Sequence, residues 1–181
     1  MTYEFETPID RSGTYSLKWE EAGDALPMWV ADMEFQTAPQ IRVALQQRLD
    51  HGIFGYSIVP PEWNQAYVNW WRRRHNLDID PESLVFCTGV VPAISSMVRK
   101  LTTANENVLI QTPVYNIFFN SIINNGCRVL ESPLEYDGSG HYSINWADLE
   151  SKLADPQTTL MILCNPHNPV GRIWDRDTLA H

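Results

Sequence analysis

The chain has 181 residues, 44% of them apolar and 19% charged, with 13 basic against 22 acidic side chains and a net charge of −9. That is one ordinary globular domain's worth of chain, far from the low-apolar, high-charge corner where disorder lives. An acidic chain without a basic stripe repels phosphate backbones, so no nucleic-acid partner is expected. The Arg72–Arg74 run closes a predicted helix, where the helix dipole favours cations.

The longest unbroken apolar run, Leu160–Cys164, is five residues, against the roughly 20 that cross a bilayer. No membrane association is expected. The opening MTYEFETPID is acidic and lacks a charged-then-apolar leader layout, so the expected location is cytoplasmic. Cys87, Cys127 and Cys164 are widely spaced, odd in number and set in or beside β-type runs, which predicts buried free thiols rather than bridges or metal ligands. The five histidines show no ligand spacing either.

After an irregular start, Ile41, Ala44, Leu45 and Leu49 recur at helical spacing, with Pro39 suited to a first helical turn and Gly52 to a stop. A second helix follows Pro60-Pro61 and ends near Asn76, with Trp63, Ala66, Tyr67, Trp70 and Trp71 on its apolar face. Ser83–Cys87 reads as a short strand. Beyond Thr88-Gly89 comes a helix with Val91, Ile94, Met97, Val98 and Leu101 on one face. The pattern repeats: a strand over 107–111, a helix over 115–125 stopped by Gly126, and a strand over 127–132. A turn-rich stretch (YDGSGHYS), a helix over about 145–154 and a strand over 158–164 follow. Alternating strands and helices, with crossovers long enough to hold a helix, predict an α/β fold whose sheet is mainly parallel. Asp175 reads as a final helix cap with about six residues after it, fewer than the roughly 8 to 20 of a globular helix. The expectation is a segment of a longer protein.

In an open α/β sheet, ligands sit outside the carboxyl ends of the strands, which singles out three segments. In Thr88–Ala93, Gly89 would let the chain turn sharply and the next amides open a helix, a ready anion site; read from this turn alone, a plain strand-to-helix connection is the stronger reading. In Thr112–Asn116, Tyr115 could cover a flat ligand or serve as a core aromatic. In Asn165–Arg172, two Asn-Pro steps force extended backbone and leave two amides able to point into a site, where an amide donates to an anionic oxygen. Near the start, LPMWVADMEF and HGIFGYS read as site-lining loops or as a packed arm.

Taken in order, LPMWVADMEF, HGIFGYS, TGVVPAIS, QTPVYNIFF and CNPHNPVGR resemble the MalY/PatB-type cystathionine β-lyases. These are fold-type-I pyridoxal-phosphate enzymes, grouped with the class I and II aminotransferases. The resemblance covers essentially the whole sequence and implies a three-layer aminotransferase-like fold, here the N-terminal part of the large domain. It divides the chain into an N-terminal arm with a substrate-side loop, 1–36, and an incomplete cofactor-binding domain, 37–181.

The same resemblance assigns roles. Gly89, Val90 and Val91 would hold the phosphate of pyridoxal 5'-phosphate, Tyr115 would stack on its ring, and Asn168 would hydrogen-bond the ring's phenolate oxygen. Tyr56 matches a tyrosine that reaches the neighbouring subunit's cofactor, implying a homodimer with shared sites. Val30, Ala31 and Asp32 match a segment near the substrate carboxylate. The chemistry also needs a Schiff-base lysine. Lys18, Lys100 and Lys152 do not match its position, so no catalytic residue is assigned and the missing C-terminal half is an expected partner. The implied activity is carbon-sulfur β-elimination on cystathionine or a related cysteine conjugate, a small amino-acid substrate, giving thiol, pyruvate and ammonia. An aminotransferase on the same scaffold and a non-catalytic truncated protein are the alternatives. The resemblance also implies a gapped sheet. Later strands would lie between 83–87 and 158–164, and between 158–164 and 107–111.

Overall fold

A computed structural model describes residues 3–181. The chain divides into two compact units, one ending at Ile58 and the other spanning Val59–His181.

The first unit holds a single turn of helix, α1 (Leu17–Glu20), and a longer helix, α2 (Pro39–His51). Pro39 sits where its missing N–H costs nothing, and Gly52 ends the helix in the left-handed region at φ 72°. Between the two helices the chain has no regular structure, and charge organises it. Arg11 bonds Asp32 (2.6 Å) and Glu34 (3.0 Å). The ammonium of Lys18, a residue only 8% exposed, donates to Glu34 (2.7 Å) and to the Asp32 carbonyl (2.7 Å). The Trp19 indole N–H adds a bond to Glu34 (3.1 Å). Glu34 is therefore the hub that ties the Val30–Asp32 segment back to the arm.

In the second unit, α3 (Pro61–His75) ends at Asn76 in the left-handed region, and a 3-10 turn follows at Pro81–Ser83. Next come α4 (Val90–Leu101), β1 (Asn107–Ile110), α5 (Ile117–Ile123) and β2 (Arg128–Glu131). A small hairpin, β3 (Glu135–Tyr136) with β4 (Tyr142–Ser143), precedes α6 (Trp146–Leu153), β5 (Thr158–Ile162) and α7 (Arg176–Ala180). Caps fix two helix starts: the Asn145 side chain accepts from the Asp148 N–H, and Asp175 accepts from Thr178.

The main sheet has the order β2-β1-β5, with both pairings parallel. Val108, Leu109 and Ile110 of the central strand are fully buried, as expected of a parallel strand covered on both faces. Val108 and Ile110 join Val98 of α4, Val114, Phe118 and Ile122 of α5, and Cys127 in the core. Leu109 alternates to the opposite face. Helix α6 is fastened to the end of β2, where Ser132 donates to Asp148 (2.7 Å) and Lys152 donates to the Glu131 carbonyl (2.6 Å).

Four sequence expectations change here. Ser83–Cys87 is no strand: Leu84–Cys87 has no ladder partner, and Val85 is 83% exposed. β-type residues form a strand only where a neighbour accepts their backbone groups. Second, β5 pairs directly with β1, Leu160 opposite Val108 and Met161 opposite Leu109, so no gap separates those two strands. A buried apolar strand needs both its edges saturated, and the long connection through α6 is sufficient to bring β5 there. Third, Cys87 is exposed, since the segment carrying it is uncovered, whereas Cys127 is buried; all three cysteines are free. Finally, only part of the apolar stripe of α4 is covered: Val98 is buried, but Met97 and Leu101 remain more than half exposed beside Val85 and Cys87.

Two outcomes are expected. Ile122→Ala, in a fully buried position, should lower unfolding stability by about 2–4 kcal/mol in urea titration, whereas Ile123→Ala, 59% exposed, should cost less than about 1 kcal/mol. The second concerns Glu34, whose pKa is lowered from 4.5 to about 2, chiefly by the Lys18 hydrogen bond, with burial opposing and Arg11 and Trp19 assisting. A carboxylate depressed in the folded state contributes stability above its unfolded pKa and loses it as pH falls toward the folded one. The Trp19 indole N–H resonance should therefore shift between pH 4.5 and 2 and be silent over that window in Glu34→Gln. An unmoved resonance in the parent chain would show that the hub does not form.

Candidate cofactor site

Parallel pairing brings the carboxyl ends of β1 and β5 side by side, so the loops that follow them, 112–116 and 165–172, leave the sheet at one end. Helix α4 carries the third segment, Gly89–Val91, at its start. Its carboxyl terminus lies by the start of β2, since Thr102 Oγ1 is 3.0 Å from Cys127 Sγ and Asn105 N–H donates to the Gly126 carbonyl (2.8 Å). The 12-residue helix therefore begins, at Gly89–Val91, at its end remote from the start of β2.

No side chain caps the start of α4 and its first turn holds no acidic residue. Pro92 removes one N–H, and Ala93 N–H already donates to the Gly89 carbonyl (3.2 Å), which leaves the amides of Val90 and Val91 for an anion. The role expected of Gly89 changes. Its φ of 164° is extended backbone open to any residue, and a Cβ there would meet the Pro92 ring at 3.6 Å, an ordinary contact. Gly89 is thus not required by a sharp turn.

Tyr115 is 41% exposed and lies edge-to-face with Phe118, with ring centroids 6.3 Å apart. It is not a core aromatic. Its neighbour Val114 takes the core position instead. Asn168 is exposed, with its backbone N–H on the Cys164 thiol (3.4 Å). The other loop amide, Asn165, is also exposed but is engaged: its Oδ1 accepts from the Trp174 N–H (3.1 Å). Of the two Asn side chains, one therefore closes the loop and the other is free to meet a ligand.

Sequence reasoning passed over His167, between the two Asn-Pro steps. It is 1% exposed, and its Nε2–H donates to the Pro113 carbonyl (3.1 Å). Burial pushes its pKa below the usual value, outweighing the Pro113 and Gln111 carbonyls that face it. The ring is neutral, and because a carbonyl only accepts, its proton is on Nε2. A histidine inside so regular a motif was the available signal.

Val30, Ala31, Asp32 and Tyr56 belong to the first unit. Val30 is half-buried, Ala31 and Asp32 are exposed, Asp32 is held by Arg11, and Tyr56 is fully exposed on an irregular segment after α2. Lys18 is engaged by Glu34, and Lys152 by Asp148 and the Glu131 carbonyl. Lys100 lies at the carboxyl end of α4, away from Gly89. Among the described residues no three His, Cys, Asp or Glu side chains gather as a metal site, and no helix is long and apolar enough to cross a membrane.

This geometry has known counterparts. Cystathionine beta-lyase PatB of Bacillus subtilis is 46% identical over 97% of this chain and 46% of its own length. Protein MalY of Escherichia coli is 35% identical over 98% of this chain and 47% of its own. The crystal structure of cystalysin from Treponema denticola, which contains a pyridoxal 5'-phosphate cofactor, superposes with a TM-score of 0.89 at 36% identity, covering 99% of this chain and 48% of that one. The chain thus spans about half the length of the curated relatives it matches. With "Aminotransferase class I and II" matching residues 27–181, and with tyrosine and asparagine loops delivered to one end of a parallel sheet, the chain belongs to the class I and II aminotransferase family.

Proposed function

We propose that the protein carrying this segment is a pyridoxal-phosphate-dependent carbon-sulfur β-lyase, acting on cystathionine or a related cysteine conjugate and releasing thiol, pyruvate and ammonia. The observation that supports the reading is that the Tyr115 and Asn168 loops leave the sheet at one end, while α4 starts with the Val90 and Val91 amides uncapped. Their chemistry matches the parts of the cofactor: an anionic phosphate, a flat ring and an anionic ring oxygen. Relatives named as cystathionine β-lyases support the choice of elimination. Transamination on the same scaffold is the second reading, favoured by the family match itself.

When bound, the cofactor supplies the electron sink that makes the substrate α-proton removable. This chain's residues do the holding. The uncapped start of α4 receives the phosphate on two backbone amides, with the helix dipole behind them. Tyr115 covers one ring face with a side chain that no core packing claims. Asn168 donates its amide to the ring oxygen and stabilises the ionised form of that oxygen. Val30, Ala31 and Asp32 form the substrate-side segment, and Tyr56 serves the site of a second copy in a homodimer. None of Lys18, Lys100 and Lys152 is the Schiff-base lysine, since two are held in ion pairs and the third lies at the far end of α4. That lysine comes from the C-terminal half. The enzyme is cytoplasmic.

Purified full-length protein incubated with cystathionine should release pyruvate, whereas the 181-residue chain alone should release none. Keto-acid-dependent amino transfer without pyruvate release by the full-length protein would instead favour the aminotransferase. In the full-length protein, Tyr115→Ala should weaken pyridoxal 5'-phosphate binding by about 1–3 kcal/mol. Asn168→Ala should move the pH midpoint of the cofactor's visible absorbance. Unaltered affinity and midpoint would remove both residues from the site.

A further inference from the structure

The loops bearing Tyr115 and Asn168 are each held by bonds of their own. In the second, His167 N–H donates to the Arg172 carbonyl (2.7 Å), Gly171 N–H donates to the His167 carbonyl (2.8 Å), and Asn165 accepts from Trp174. The first is joined to the chain after β2, where Leu134 N–H donates to the Thr112 carbonyl (2.7 Å). Neither set of bonds relates one loop to the other. Among the described residues, the hydrogen bond that crosses between them is His167 Nε2–H to the Pro113 carbonyl, linking positions 54 residues apart. It starts from the residue just before Asn168 and ends two residues before Tyr115.

The ring is built in rather than draped across. His167 is 1% exposed and meets the edge of Trp174, itself 3% exposed, at 5.8 Å between centroids. The Arg172 guanidinium lies over the same Trp174 ring at 5.5 Å. The imidazole is retained although its Nδ1 has no partner, an arrangement disfavoured in a dry interior. A leucine would fill the space without that cost but would provide no donor to the opposite loop. What the histidine adds is the crossing bond.

We propose that His167 is a positioning residue, its Nε2–H bond to the Pro113 carbonyl fixing the spacing between Tyr115 and Asn168 so that ring face and ring oxygen are met together. The inference rests on the cofactor reading above, though the clamp itself can be observed without it. A donor held in fixed geometry loses less freedom when its ligand arrives. The clamp therefore acts on cofactor affinity and, through Asn168, on the ionisation of the ring oxygen.

The test uses the full-length protein with pyridoxal 5'-phosphate as probe. His167→Leu removes the donor and keeps the bulk, while His167→Gln returns an amide N–H near the Nε2 position. His167→Leu should weaken cofactor binding about tenfold, the scale of one lost hydrogen bond. It should also shift the midpoint of the visible absorbance titration in the direction of Asn168→Ala, and His167→Gln should recover most of both. Introduced into Asn168→Ala, His167→Leu should move the midpoint little further. Parental affinity and midpoint in His167→Leu, or full additivity of the midpoint shifts, would overturn the proposal. Imidazole nitrogen NMR of the parent protein provides a second measurement if the leucine variant fails to fold. A neutral Nε2–H ring is expected at pH 7, and an Nδ1–H tautomer would overturn the clamp. Failure of the parent protein to bind pyridoxal 5'-phosphate would refute the functional reading, while the NMR result would still decide whether the clamp exists.

Discussion

The parallel pairing of β1 with both β2 and β5 is the constraint on which the second unit depends. Val108, Leu109 and Ile110 are buried on both faces, and their backbone groups can be satisfied only by a neighbour on each side. Once those neighbours run parallel, every connection must return from the carboxyl end of one strand to the amino end of the next. The helices serve as return paths, and the loops at the carboxyl end gain freedom to carry chemistry. The Tyr115 and Asn168 loops share one end of the sheet for this reason, although the two residues lie far apart in the sequence.

The first unit is organised by a different force. Helix α2 has no buried residue, so its apolar positions do not hold the unit together, and Lys18, Arg11, Asp32 and Glu34 take that part. Two cations balance two carboxylates, which keeps the nearly buried Lys18 compensated. Such a cluster fixes backbone direction with few atoms, and the Asp32 carbonyl bound by Lys18 is one example.

Local order was legible in the sequence wherever a local cause sets it. Pro39 with Gly52 bounded α2, Asp175 announced a helix cap, and the apolar run over 107–111 marked a strand. What escaped depends on partners distant in sequence. Leu84–Cys87 has strand-forming side chains and no ladder, the adjacency of β1 and β5 spans some fifty positions, and the uncovered part of α4 follows from the same missing neighbour. The candidate site divides likewise: its residue types could be listed from the motifs, but Tyr115 standing clear of the core is a tertiary fact. So is the bond that engages the Asn165 side chain with the Trp174 N–H. His167 escaped because burial of a polar ring leaves no periodic trace.

The saturation of β1 has a consequence for how such a sheet grows. Any further strand must be added outside β2 or β5, and a parallel addition delivers its own following loop to the end already occupied by Tyr115 and Asn168. The strands thus give the sheet a built-in polarity: a loop added in this way takes the same direction as those after β1 and β5, whichever edge its strand joins.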